Sequence, residues 1–214
     1  QFNEKSDEQF DQALTALEKQ QMRGLILDLR ANPGGLLQVA VDIGSRFIES
    51  GPIVIIQERG GQKNPLYVEE SKHNHKRYPL VVLVDKSSAS ASEIVSGAIK
   101  DDKVGTIVGV TTFGKGRVQT ILPCNDGSAV AITTAKYLTP NGTDLNAKVV
   151  DGKRVGGLKP DIEVKNPEDW RMTEEDKARD KQLQKALEVL RDKLHATKEG
   201  NGILRAQGEA EVNR

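Results

Sequence analysis

Apolar residues in this chain follow two different periods, and each period predicts a different kind of element. Between Phe10 and Leu17 they recur at helical spacing, which predicts an amphipathic helix beginning at Ser6. Short runs that are almost continuously apolar predict buried strands instead; these runs cover residues 24–30, 53–57, 80–84 and 106–110. The run LVVLV at Leu80–Val84 is the clearest of them and indicates a strand at the centre of a sheet.

Predicted helices lie between these strands. One covers Leu36–Ile48 after the turn Asn32-Pro33-Gly34-Gly35, and another runs to about Lys100 after a stretch rich in Ser and Ala. Alternating strands and helices predict right-handed βαβ units around a mainly parallel sheet. Further along, two strand patterns flank Asn125-Asp126-Gly127, which is a hairpin signature. We therefore predict an α/β fold with a mainly parallel sheet, antiparallel hairpins and a C-terminal helix.

The last part of the chain has the pattern of a long charged helix. It is predicted to run from Thr173, as its cap, to about Leu194. Four leucines share one face of this helix: Leu183, Leu187, Leu190 and Leu194. Such a leucine stripe is suited either to packing against the rest of the domain or to association with a second copy of the chain. We divide the chain into a core domain at residues 1–170, an amphipathic helix at 171–198, and a tail at 199–214 that is predicted to be disordered.

Composition and charge narrow the class of protein. The 214 residues suffice for one sizeable core, and they carry 31 acidic and 31 basic side chains. This balance argues against a nucleic-acid-binding face built from net charge. No apolar run approaches the roughly 20 residues that a membrane span needs. The polar start at Gln1–Ser6 has neither a Met nor a signal peptide, so we expect a processed chain or a piece of a longer one.

The candidate chemistry is first restricted by what the sequence lacks. A single cysteine, Cys124, excludes internal disulfides and a Cys-rich metal site. His73 and His75 form an H-x-H pair in a polar loop, but a zinc site needs a third ligand that nothing indicates. His195 lies near the end of the last helix, so a histidine general base is poorly supported. Dinucleotide and phosphate-binding loops are absent from the sequence. We expect neither a metal nor another cofactor.

A serine-rich stretch, SSASASEI at Ser87–Ile94, follows the best predicted strand and precedes a helix. A serine at such a junction lies at the carboxyl end of a strand, where open α/β sheets place their sites. The free N–H groups of a helix N-terminus also suit an oxyanion. However, Ser90 and Glu93 have the spacing of a capping box, which is a purely structural role. The stretch alone does not distinguish these roles, nor does it single out one of its four serines.

A lysine between two glycines, in FGKGRVQ at Phe113–Gln119, is a second candidate. A lysine that acts as a general base must be neutral near pH 7, and proteins achieve this mainly by burying the amine. Phe113 and the following strand are candidates for the apolar surroundings of Lys115, whose burial the sequence leaves open, and Gln119 is near enough in sequence to orient its amine. On its own, the motif fits a surface or phosphate-binding lysine equally well. The turn at residues 32–35 is similarly ambiguous: its glycines can aim an N–H at a substrate oxygen or simply form a tight turn.

Taken together, these elements resemble the carboxyl-terminal processing (tail-specific) protease family. The resemblance lies in LILDLRANPGG, VVLVDKSSASASEIVSGAIKD and GVTTFGKGRVQT, in that order, and in the later ITTAKYLTPNG and GLKPDIEV; it covers residues 24–164. It implies that Ser90 is the nucleophile of a serine endopeptidase, that Lys115 is its general base 25 residues later, and that Gln119 assists. Polypeptide chains would be cleaved at or near their C-termini through an acyl-enzyme.

The resemblance also assigns an oxyanion hole. Its amides would be those of Ala91 and of the Gly34-Gly35 turn, with Gly35 as the preferred donor. Some family members have an acidic helper at the position of Asp101, although we interpret Asp101 as a surface residue at a helix end. The implied fold is the spiral α/β core of the Clp-protease and crotonase type, without a cofactor.

Family membership would further imply partners and a location. Substrates would be proteins with apolar C-terminal tails, and a PDZ domain would be expected upstream in a parent chain, because none can be recognised here. The family acts outside the cytoplasm, in the periplasm, cell envelope or thylakoid lumen. The alternatives are a catalytically silent peptide- or ligand-binding module of the same fold, a crotonase-like acyl-CoA enzyme, and an interaction protein built around the terminal helix.

Overall fold

The computed structural model describes the backbone of residues 1–212 and the side chains of residues 1–152 and 155–196. It has four helices, α1 (Ser6–Lys19), α2 (Leu37–Ser45), α3 (Ala91–Asp101) and α4 (Lys181–Val212). The strands are β1 (Leu25–Asp28), β2 (Pro52–Glu58), β3 (Lys63–Tyr67), β4 (Leu80–Val84), β5 (Gly105–Gly109), β6 (Arg117–Pro123), β7 (Ala129–Leu138), β8 (Lys148–Val150), β9 (Lys153–Val155) and β10 (Ile162–Glu163). The predicted alternation of strands and helices in the first half is confirmed.

The strands form two four-stranded sheets and one two-stranded ribbon. The first sheet is parallel, in the order β1-β4-β5-β10, and the predicted central strand LVVLV lies inside it, as β4. The second sheet is antiparallel, in the order β3-β2-β7-β6, and contains the predicted hairpin as β6 and β7. Strands β8 and β9 form the ribbon. The predicted α/β class is therefore confirmed.

The parallel sheet is covered on both faces, because every residue of β4 is apolar and buried. One face packs against α2 and α3, with Val82, Val84 and Ile99 among the buried residues. The opposite face packs against α4 through Val81 and Leu83. Covering both faces leaves only the strand ends accessible, and the candidate residues lie at the carboxyl end of β4.

Helix α4 begins at Lys181, so the prediction of Thr173 as its cap is wrong. The cap is Asp180, whose carboxylate accepts the backbone N–H of Leu183 at 3.0 Å. Arg30, at the end of β1, holds this carboxylate with a hydrogen bond of 2.8 Å. The residues before Asp180 form a turn, in which Asp176 accepts bonds from Arg171 and Arg179, followed by a short 3-10 helix at Lys177–Arg179.

Most of the predicted leucine stripe packs on the domain. Leu190 is buried with Ala186 against the parallel sheet, and Leu183 and Leu194 contact the same cluster. Leu187 is 39% exposed, so self-association through the stripe stays a prediction. The predicted tail at residues 199–214 lies outside the part of the chain whose side chains are described. No helix among the described residues is both long and apolar enough to cross a bilayer.

Candidate active site

Ser90 lies where β4 turns into α3, in a backbone conformation that is rare for a residue with a side chain. Its φ is 53° and its ψ is −116°, outside the regions that non-glycine residues ordinarily occupy. The predicted capping box is present, and within it a Glu93 oxygen accepts the Ser90 N–H at 2.9 Å. Strained residues persist where the surrounding structure fixes them, and they cluster at functional sites. The half-buried Ser90 therefore caps α3 and lies in a strained turn, while its role as the nucleophile stays a prediction.

The glycine turn after β1 packs directly against this serine. A Cβ added to Gly34 would lie 2.5 Å from the Ala89 carbonyl oxygen and 2.8 Å from the Ala91 nitrogen, so only glycine fits there. The Gly34 N–H donates to the side chain of Asn32 at 3.0 Å. The backbone oxygen of Asn32 in turn accepts the Ala89 N–H at 3.1 Å. The turn and the serine loop are thus one hydrogen-bonded unit.

Of the three predicted oxyanion-hole amides, that of Gly34 is occupied by Asn32. Gly35 and Ala91 donate no hydrogen bond to any other described residue. Gly35 has a φ of 150° because its backbone runs alongside Phe2, whose carbonyl oxygen leaves no room for a side chain. The geometry therefore leaves the Gly35 and Ala91 N–H groups available beside Ser90.

Lys115 lies in the loop between β5 and β6, and the apolar surroundings considered for it do not cover it. Lys115 is exposed, and Phe113 is itself 43% exposed. No hydrogen bond between described residues joins the Ser90 hydroxyl to the Lys115 amine. The loop is held by its backbone instead: the Phe113 N–H donates to Ser88 at 2.9 Å, and the Ala147 N–H donates to Gly114 at 3.0 Å. The structure brings the two loops together without placing the lysine amine on the serine.

Gln119 lies in β6, opposite Thr133, and is exposed. The register shifts between Val118 and Gln119, which is a β-bulge. The extra residue, Thr134, lies on β7; Lys115 precedes the start of β6, so the four-residue spacing between Lys115 and Gln119 does not guarantee that their side chains meet. Within the described part of the chain, no hydrogen bond joins them.

Glu93 is the residue that links the two candidate loops, and the sequence indicated only its role in the capping box. Its side chain is fully buried. One carboxylate oxygen accepts the N–H groups of Ser90 at 2.9 Å and Lys115 at 2.8 Å. The other accepts the Thr112 hydroxyl and the Gly114 N–H. A buried carboxylate with four donors is well satisfied, so Glu93 fixes the spacing between the serine and lysine backbones.

The remaining candidates lie elsewhere. Asp101 accepts the Asn141 N–H at 2.8 Å and so holds the turn after β7. It is at the far end of α3, roughly 15 Å along the helix from Ser90. Cys124 is exposed in the β6–β7 hairpin.

The two histidines of the H-x-H pair have separate partners. His75 lies between the carboxylates of Asp11 and Glu18, at 3.0 and 3.2 Å, and His73 contacts the Ile48 carbonyl. Among the described residues, no group of three or more His, Cys, Asp or Glu side chains is placed to hold a metal ion.

Comparison with known proteins agrees with this geometry. Residues 1–164 match peptidase family S41. The chain is 41% identical over 163 residues to the chloroplastic C-terminal processing peptidase of Tetradesmus obliquus, covering 76% of this chain and 33% of that protein. It is 42% identical over 169 residues to the carboxy-terminal processing protease CtpB of Bacillus subtilis, covering 78% of this chain and 33% of that protein.

A solved structure gives the same result. The photosystem II D1 C-terminal processing protease superposes with a TM-score of 0.68 and 39% sequence identity, over 76% of this chain and 40% of that one. The chain thus spans about a third of the length of the curated relatives it matches. The family match covers both candidate loops and the parallel sheet that positions them. The chain belongs to peptidase family S41.

Proposed function

We propose that this chain is the catalytic core of a serine endopeptidase that cleaves polypeptides at or near their C-termini through Ser90 and Lys115. The observation that carries the proposal is the strained Ser90, which lies beside two available backbone N–H groups and is tied through Glu93 to the lysine loop. Strain, oxyanion donors and a nearby amine are the parts that acyl transfer needs. Two similar proteins are named C-terminal processing peptidases, which supports the same reaction.

In the proposed reaction the neutral amine of Lys115 takes the proton of the Ser90 hydroxyl, and the serine oxygen bonds to the carbonyl carbon of a substrate peptide. The N–H groups of Gly35 and Ala91 stabilise the negative oxygen that results; one such donor contributes about 3–4 kcal/mol in serine proteases. Protonated Lys115 then returns its proton to the leaving amine as the C–N bond breaks. Water attacks the acyl-enzyme by the same route and restores Ser90.

The exposure of Lys115 imposes a condition on this mechanism. A lysine acts as a general base only in its neutral form, which burial in apolar surroundings favours, so the amine has to lose contact with water before it acts as a base. The bound polypeptide is the obvious cover, because its scissile carbonyl must lie against Ser90 while the Lys115 amine contacts the serine hydroxyl. Gln119 would orient the amine once the loop closes on the substrate.

Further parts of the proposal concern the parent protein. Its substrates would be proteins with apolar C-terminal tails, and a PDZ domain upstream of this chain would bind those tails. It would act outside the cytoplasm, in the periplasm, cell envelope or thylakoid lumen. Among the relatives, the proteins from Tetradesmus obliquus and Arabidopsis thaliana are named chloroplastic.

A second function is favoured by one observation. Lys115 is exposed and makes no hydrogen bond to Ser90. The same arrangement therefore suits a catalytically silent module that binds a peptide beside Ser90. Such a module would bind peptides without cleaving them.

The experiment that separates these functions uses the full-length parent and this chain with an unfolded protein that has an apolar C-terminal tail. Ser90→Ala and Lys115→Ala are compared with Ser87→Ala, which changes an exposed serine of the same loop. We expect cleavage by the parent and by Ser87→Ala, and loss of cleavage in the other two variants. Cleavage by Ser90→Ala would refute the assignment. Binding without cleavage in every protein would support the silent module.

A further inference from the structure

A cleft on the antiparallel sheet takes no part in the proposed chemistry. It encloses about 820 Å³ between the sheet and residues 144–148. The strand register sets its floor: Lys136 on β7 is paired with Gln57 on β2 and with Arg117 on β6, so these three side chains form one row across the sheet. The cleft is therefore built by three strands and one crossing segment.

The charges that line this cleft are mostly positive. Its basic residues are Arg59, Arg117, Lys136 and Lys148, and its acidic residues are Glu58 and Asp144. Both acids are already engaged: Asp144 pairs with Lys136 at 2.9 Å, and Glu58 accepts the Asn64 amide at 2.8 Å. Three cations, Arg59, Arg117 and Lys148, make no ion pair with any described residue. With four basic and two acidic residues, the cleft therefore carries a net charge of +2, although the whole chain is neutral.

The cleft also adjoins the lysine loop directly. Asn146, on its wall, accepts the Gly116 N–H at 3.2 Å and donates to the Gly116 carbonyl at 3.3 Å. Gly116 separates Lys115 from Arg117, where β6 begins. An extended chain that leaves the cleft along β6 would reach Lys115 within one or two residues.

We infer that this cleft binds carboxylate side chains of an acidic segment in the polypeptide substrate, next to the bond that is cleaved. The identification of the occupant as substrate rests on the proposed function. Arginine suits the task because its planar guanidinium binds a carboxylate through two parallel hydrogen bonds. Each exposed pair contributes little alone, so selectivity requires several acids facing several cations. The cleft would thus select by acidic sequence, separately from the apolar tail at the C-terminus.

The test measures binding rather than cleavage, in the full-length parent carrying Ser90→Ala. Fluorescence anisotropy follows two labelled peptides of equal length, one with three Glu residues and one with Gln in their place. We expect the acidic peptide to bind roughly tenfold more tightly at low ionic strength. This preference should shrink as salt is raised through about 0.15 M, where screening acts over about 8 Å.

Two triple variants remove the same number and kind of charges, one inside the cleft and one outside it. Arg59→Gln, Arg117→Gln and Lys148→Gln together should abolish the preference for the acidic peptide. Arg23→Gln, Arg191→Gln and Lys19→Gln together, which also remove two arginines and one lysine from exposed positions, should preserve it. Circular dichroism confirms that both triple variants are folded.

Three results would overturn the inference. The first two are equal binding of the two peptides and a preference for the acidic peptide that survives in the cleft variant. Competition by a single-stranded oligonucleotide of equal charge, as effective as the acidic peptide, would show a general polyanion surface and would also overturn it. A different result would refute the proposed function and leave the binding inference intact. In that case the parent with Ser90 intact would bind the acidic peptide selectively without cleaving it.

Discussion

The carboxylate of Glu93 accepts the backbone N–H of Lys115 at 2.8 Å across 22 residues of sequence. The same oxygen accepts the N–H of Ser90, so one buried group sets the position of both proposed reacting residues. The other oxygen accepts the Thr112 hydroxyl and the Gly114 N–H, so the two oxygens together accept four hydrogen bonds. We regard Glu93 as a positioning residue, because its contacts are with the two loops.

We expect Glu93→Gln to reduce kcat at least tenfold and to leave KM nearly unchanged. A glutamine amide would turn its N–H groups toward one of the two pairs of donors, and each pair includes a backbone N–H, so at least one loop would lose a hydrogen bond. Leaving buried donors unpaired should also lower the free energy of unfolding by about 1–3 kcal/mol. Steady-state kinetics of the parent and urea unfolding measure the two effects.

The control for Glu93→Gln is Glu70→Gln, which changes an exposed glutamate far from the loops. A purely structural role for Glu93 predicts lower stability with an unchanged kcat for the folded fraction. That outcome would refute the positioning role.

Gly34 offers a test of how closely the two loops must approach. In Gly34→Ala the new Cβ would meet the Ala89 carbonyl oxygen, and the backbone would also be strained at a φ of 94°. Gly51→Ala is a matched control, since Gly51 has a φ of 98° with no atom within 4 Å of the added Cβ. We expect both variants to lose about 1–2 kcal/mol of stability from strain, and only Gly34→Ala to lose most of its activity. Equal activity in the two would show that the approach of the loops is not needed.

Sequence patterns were sufficient for the elements but not for all of their contacts. The apolar run LVVLV can only be a strand buried on both faces, so β4 and its position could be predicted. The start of α4 could not, because its cap depends on Arg30, which lies 150 residues from Asp180 in the sequence. The local sequence pattern favoured Thr173 as the cap of α4, because an ion pair between distant residues leaves no periodic pattern in the sequence.

In the candidate site, too, contacts between sequence neighbours could be predicted, and contacts between distant residues could not. The capping-box spacing of Ser90 and Glu93 was visible in the sequence, and so was the strand-to-helix junction that carries the serine. The bonds from Glu93 to the lysine loop were not, because nothing in the sequence shows which way a buried carboxylate faces. The burial of Lys115 could not be predicted for a related reason: a neighbouring Phe113 in sequence need not cover it in space.

The buried pair of Arg30 and Asp180 should hold α4 to the parallel sheet. Both side chains are 4% exposed, and their closest atoms are 2.8 Å apart. Burial disfavours the charge of Arg30, but hydrogen bonds to Asp28 and Asp180 outweigh it and raise the pKa of Arg30 above its usual value. We expect Asp180→Asn to destabilise the fold by about 3–5 kcal/mol, because it leaves a buried cation short of a partner. Urea unfolding measures the change.

The comparison for Asp180→Asn is Asp169→Asn, which breaks the exposed pair with Arg179. Exposed pairs contribute about 0–1 kcal/mol, so this variant should behave nearly as the unaltered chain does. Similar losses in both variants would show that burial does not strengthen the Arg30 pair.

Asp7 should make the stability of the fold depend on pH in acid. Although burial alone would raise the pKa of Asp7, hydrogen bonds from Lys72 and Arg46 lower it below the ordinary aspartate value. A carboxylate with a lowered pKa in the folded state stabilises the fold above the unfolded pKa of about 3.9, and this contribution is lost as the pH falls through the folded value. Asp7→Asn should therefore be less stable than the unaltered chain at pH 7, and the difference should shrink below about pH 4. Urea unfolding at a series of pH values from 7 to 3 measures this difference in stability, and Glu4→Gln serves as an exposed control. If the difference between Asp7→Asn and the unaltered chain is constant across this range, the charge of Asp7 contributes nothing to stability.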